Sequence, residues 1–135
     1  MARISTHTDL EVYRKAFDTA MLVFEMSKRF PRDERFSLTD QIRRSSRSVC
    51  ANLAEAWRKR VYRAAFIAKL VDVEAEAAET QVWLDFAAQC DYTEPQDAID
   101  LSTAYHAIIG TLVGMRKHPE TWVLGEEPNN RPPSG

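Results

Sequence analysis

The segment Leu38 to Arg60, LTDQIRRSSRSVCANLAEAWRKR, reads as one helix that carries three stripes rather than two. At about 100° per residue, Ile42, Ser46, Val49, Leu53 and Ala56 form an apolar face. Gln41, Ser45, Ser48, Asn52 and Glu55 line up beside it at steps of three and four, and Arg43, Arg44, Arg47 and Arg58 lie on the far side. An ordinary bundle helix flanks its core with Ala, Lys or Glu. A ladder of Gln, Ser and Asn in that place calls for specific hydrogen-bond partners, so the segment has to pack against other helices.

The remaining periodicity is also helical. Helix 1 is expected from about Leu10 to Lys28, with Tyr13, Phe17, Ala20, Met21 and Phe24 on one face and Phe30-Pro31 as its stop. Helix 2 runs to about Lys59. Helix 3 spans about Val61 to Cys90 on the seam Phe66, Leu70, Val73, Ala77, Thr80 or Gln81, and Leu84. No Pro or Gly separates helices 2 and 3, so the turn near Arg58 to Arg60 is the weakest boundary. Pro95 opens helix 4, where Ala98, Leu101, Tyr105, Ile108, Leu112 and Met115 step by threes and fours. Gly110 and Gly114 form a G-x-x-x-G, read as a place where another helix comes close. No window alternates with strand period. The expected fold class is all-α, a bundle of four helices with short links. Residues 1–8 are expected to be an N-terminal arm, 9–118 the bundle and 119–135 a flexible tail in which three of the six Pro fall within the last eight residues.

Composition excludes several classes. The N-terminus is polar and fits no secretory signal, and the run Tyr105 to Met115 is about half a membrane span. Cys50 and Cys90, each among apolar neighbours, read as buried thiols in a reducing cytosol, so a cytoplasmic location is expected. His7, His106 and His118 have no partners at metal-ligand spacing, and no Glu-x-x-His pair or Gly-rich phosphate loop occurs. No metal, cofactor, small-molecule substrate or catalytic residue is assigned. The one acid/base pairing worth weighing is Glu55 with Glu79, against the plainer reading that each accepts hydrogen bonds from Gln41, Asn52 or an Arg.

The net charge of −2 conceals a segregation. Eight basic residues lie between Arg43 and Lys69, opposed only by Glu55, and nine acidic residues lie between Asp72 and Asp100 with no Lys or Arg among them. Two functional readings follow. The basic block Arg43, Arg44, Arg47, Arg58, Lys59, Arg60 and Arg63, with Trp57 and Tyr62 for base stacking, suits phosphates. Equally, basic and acidic faces of neighbouring subunits could meet in a heterologous contact that closes into a ring.

Several of these residues also form a recognisable pattern. Asp9-Leu10-x-Val12-Tyr13-x-Lys15-Ala16 is followed by Phe30-Pro31-x-x-Glu34-x-Phe36-x-Leu38-Thr39-x-Gln41-Ile42-Arg43-Arg44 and by Ser48-x-x-x-Asn52-x-Ala54-Glu55, with Glu79 as a further acidic position. From Asp9 to Met115 the chain resembles the four-helix-bundle proteins encoded in intervening sequences of bacterial 23S ribosomal RNA genes. The resemblance implies an antiparallel up-down four-helix bundle that assembles into a ring-like homo-oligomer, a pentamer, and kinship with the accessory variability proteins of diversity-generating retroelements, basic rings that bind a reverse transcriptase and nucleic acid. It implies no enzymatic activity. Ala56 stands where such proteins usually have Gly, so helix 2 should run on into Trp57. The expectation is therefore a non-enzymatic cytoplasmic assembly or adaptor protein whose partner is itself, with Gln41, Ser45, Ser48, Asn52, Glu55 and Glu79 as an internal polar network. The alternative is an RNA- or DNA-associated accessory module with a nucleic-acid or nucleoprotein partner.

Overall fold

A computed structural model describes residues 4–124. It contains α1 (Glu11–Ser27), α2 (Leu38–Arg58), α3 (Arg63–Gln89) and α4 (Pro95–Lys117), punctuated by 3-10 turns at His7–Asp9, Arg32–Glu34, Lys59–Val61 and Pro119–Thr121. No strand occurs among the described residues.

Local chemistry sets most of the ends. Asp9 accepts from the backbone N–H groups of Ser5 and Thr6, which fixes the first turn. Beyond α3, Asp91 takes a left-handed φ of 63°, and Tyr92 N–H returns to the Ala87 carbonyl at 2.9 Å, a closure that Asp tolerates and that stops the helix. Pro95 occupies the first turn of α4, where its missing N–H costs nothing.

The α2–α3 break has no such local cause. Arg60 Nε donates to the Trp57 carbonyl at 2.7 Å, and Leu124 N–H donates to the Arg60 carbonyl at 3.0 Å. The chain turns there because its own C-terminal segment holds the corner. Residues 119–124, assigned to the tail from sequence, thus belong to the packed body, and Pro119 and Val123 are buried. The rest of the expected tail, 125–135, and the first three residues of the arm lie outside the described residues.

Cross-helix pairs establish antiparallel neighbours. Ser45 meets Thr80 while Glu55 meets Lys69 between α2 and α3. Gln81 meets Ser102 while Glu74 meets Arg116 between α3 and α4. In each pair one number rises as the other falls. The four helices enclose one core of Ile42, Val49, Leu53, Phe66, Leu70, Leu84, Tyr105, Ile108 and Leu112 with their neighbours. The expected seams of α3 and α4 are all buried, with Thr80 and not Gln81 on the α3 seam.

Three expectations need correction. The core face of α1 is Val12, Ala16, Ala20 and Val23, while Phe17 and Met21 are 47% and 46% exposed. Aromatic spacing alone had suggested an aromatic core face, but the smaller residues fit the narrower space inside the bundle. Gly110 and Gly114 face open space, with no atom near where a Cβ would stand, so no helix of this chain approaches them. Cys90 is exposed at the end of α3, and only Cys50 is buried. Burial pushes the Cys50 thiol up to about 11.

Candidate functional site

The basic block forms two clusters, separated along α2 by a stretch without Lys or Arg. Arg43, Arg44 and Arg47 lie on the middle turns of α2, and with Arg35, Thr39, Asp40 and Ser48 they line an open cleft of about 520 Å³. Arg43 Nε donates to Ser27 Oγ at 2.7 Å, and its guanidinium lies 4.8 Å from the Phe24 ring centre. Arg47 lies 5.6 Å from the same ring. Arg44 reaches Glu79 at 3.8 Å.

The second cluster begins at Arg58, eleven residues and roughly 16 Å along the helix from Arg47. Arg58 and Lys59 are exposed. Arg60 is stacked 3.3 Å over the Trp57 ring, and its burial lowers its pKa from the usual guanidinium range. Trp57 itself is buried, with its edge against Trp122 at 6.3 Å. It is therefore a core residue, unavailable for base stacking. Tyr62 is 71% exposed, and Arg63 lies 3.9 Å from Glu120.

The polar ladder divides as well. Thr80 Oγ1 donates to Ser45 Oγ at 2.8 Å, a fully buried bond between α2 and α3. Glu55 is exposed and pairs with Lys69 at 2.7 Å, which holds its carboxyl below the usual range. Gln41, Ser48 and Asn52 are half-buried and make no side-chain hydrogen bond among the described residues. The six positions thus contribute separate links and not one network, because the ladder turns toward the α2–α3 edge and only Ser45 reaches inside. Glu55 and Glu79 engage α3 positions ten residues, about 15 Å, apart, so they form no acid/base pair.

The carboxyl that does meet Glu79 is Glu76. Its Oε2 is buried without a hydrogen-bond partner, and burial, followed by the contact with Glu79, raises its pKa. Among the described residues no group of His, Cys, Asp and Glu could hold a metal ion. α4 is long and apolar enough by composition to cross a membrane, and its apolar stripe is packed into the bundle.

Two apolar surfaces escaped the sequence reading. Opposite its core seam, α3 carries a second heptad-like row: Ala64, Ala68, Val71, Ala75, Ala78 and Val82, continued by Phe86, all exposed. A helix apolar all round belongs in an interior, and this one has only one side covered. The doubled seam was present in the sequence as its signal. On the other side of the bundle, Tyr13, Phe17, Met21 and Phe24 from α1 and Cys50, Ala51 and Ala54 from α2 line a groove of about 460 Å³.

The architecture is an all-α four-helix bundle whose distinguishing features lie on its outer faces. Residues 8–114 match the family model of the 23S rRNA-intervening sequence protein, and the chain belongs to that family. It is also similar to the crystal structure of a protein of unknown function from the S23 ribosomal protein family of Bacteroides thetaiotaomicron. The two are 28% identical with a TM-score of 0.71, over 78% of this chain and 98% of that one. No curated protein matches the sequence significantly.

Proposed function

We propose that this protein is a non-enzymatic, cytoplasmic bundle that assembles with copies of itself into a ring-like homo-oligomer, a pentamer, and acts as an adaptor. The observation that carries this reading is the outward face of α3. Val71, Val82 and Phe86 are about half exposed along a row otherwise made of Ala. Small side chains let another helix come close, and a continuous apolar row of this length on a monomer marks an interaction surface. Native mass spectrometry of the purified full chain at low ionic strength tests it. A discrete protein-only oligomer is expected, whereas a monomer would sink the reading.

The second reading, a nucleic-acid accessory role, is favoured by the cleft that gathers Arg35, Arg43, Arg44 and Arg47. Guanidinium groups at one open site suit phosphate oxygens. Arg35→Glu with Arg44→Glu tests this reading on protein purified without nuclease. Loss of nuclease-sensitive mass with an intact oligomer would move this reading to first place.

A further inference from the structure

We infer that the outward α3 ridge of one copy docks into the α1–α2 groove of a second copy, a heterologous contact. The inference rests on the self-assembly reading and specifies which two faces meet.

Three observations carry it. The faces are complementary in relief: the ridge is a row of small Ala and Val side chains, and the groove is lined by Ala20, Cys50, Ala51 and Ala54 with Phe17 and Met21 standing along its α1 side. At about 460 Å³ the groove accepts the side-chain knobs of a helix laid along it. Its lining is mostly apolar, with polar groups only from Tyr13, Arg47 and Cys50.

The faces are also complementary in charge. Arg14 from α1 and Arg47 and Arg58 from α2 lie along the groove side, with Arg47 on the Phe24 ring beside Lys28, which already pairs with Glu25 at 3.1 Å. The ridge runs between Asp72 and Glu79 on one flank and Glu74 and Asp85 on the other. Three of these acids already have partners within the chain, Asp72 with Lys69, Glu74 with Arg116 and Glu79 with Arg44, and Asp85 is the remainder. No Lys or Arg of α3 beyond Lys69 offsets the remainder.

The same acids argue against two ridges meeting each other. An isologous α3–α3 contact would place acidic flanks side by side, and like charges across an interface are costly. A ridge-to-groove contact avoids this, uses both uncovered apolar faces, and either closes into a ring or extends, as heterologous contacts do.

The test uses two variants of the full chain and native mass spectrometry at low ionic strength, with circular dichroism to verify folding. Ala75→Arg places bulk and positive charge on the ridge facing a basic groove side. Phe17→Glu places negative charge in the groove facing an acidic ridge. Both new residues are good helix formers at exposed positions. Each variant alone should be monomeric. Mixed in equal amounts they should assemble with equal copies of each, at least as a dimer, because one sound groove and one sound ridge remain and the second contact sets the introduced Arg against the introduced Glu. Val71→Arg and Met21→Glu serve as substitutes if either first variant fails to fold. An oligomeric Phe17→Glu beside a monomeric Ala75→Arg would overturn the inference while leaving self-assembly intact. So would a mixture that stays monomeric. A monomeric wild-type protein would instead remove the self-assembly reading beneath it.

Discussion

At Glu76, burial and a neighbouring carboxyl act in the same direction. Desolvation and the contact with Glu79 raise its pKa above the unfolded value, and Asp72 adds to this, while Arg44 opposes it. Between the unfolded and folded pKa values the native state holds more proton, so stability falls as pH rises through that window. Glu76→Gln should therefore raise the melting temperature at pH 7, and its advantage should shrink as pH falls below the ordinary carboxylate range. Thermal melts between pH 4 and 8 check this, and a lower melting temperature at neutral pH would refute it. The Ser45–Thr80 bond acts in the opposite sense, because both partners are fully buried. Thr80→Val keeps the shape and removes the donor, which should cost about 1 kcal/mol in urea unfolding. The double variant Thr80→Val with Ser45→Ala should cost less than the sum of the singles, since no buried hydroxyl is then left without its neighbour. Additive costs would show that the two side chains are uncoupled.

At the scale of elements, the boundary between α2 and α3 depends on chain far away in sequence. Trp57, Arg60, Trp122 and Val123 form one corner, closed by the bond from Leu124 N–H to the Arg60 carbonyl. Val123→Ala removes two buried methyl groups, a loss of about 1.5 kcal/mol at ~0.8 each. Urea unfolding should show that loss together with a weakened near-ultraviolet signal from the tryptophan pair. Wild-type stability would mean that the C-terminal segment contributes nothing to the corner. The seams of α3 and α4 were legible in sequence because the large residues Phe66, Leu70, Leu84, Tyr105 and Ile108 recur at heptad spacing, whereas the opposite row of α3 is mostly Ala. α1 was read less well. Its large residues Phe17 and Met21 outweigh Ala16, Ala20 and Val23 in any count of hydrophobicity, yet the face that packs on the core is the one carrying the small residues.

For the whole molecule, the charge segregation of the sequence becomes a separation of faces. If basic groove and acidic ridge meet between copies, the pairs are exposed enough for salt to screen them, with a Debye length of about 10 Å at 0.1 M. The oligomer should dissociate at a lower protein concentration in 0.5 M salt than in 0.1 M if apolar contact dominates, and at a higher one if charge pairing dominates. Light scattering across that series separates the cases, and the ridge-to-groove contact with charged flanks predicts weaker assembly at 0.5 M. Stronger assembly at high salt would show that the flanking charges oppose the contact.

The sequence alone determined the four helices, their antiparallel order and the family pattern, because period, proline placement and short connections act locally and leave few alternatives. It also displayed the basic block and the polar ladder as stripes. Tertiary structure decided what those stripes do. It put Trp57 inside under Arg60, separated Glu55 from Glu79, turned Gly110 and Gly114 to open space and left one side of α3 uncovered. Each outcome depends on which neighbour occupies the adjoining space, and spacing along one chain carries no information about that neighbour.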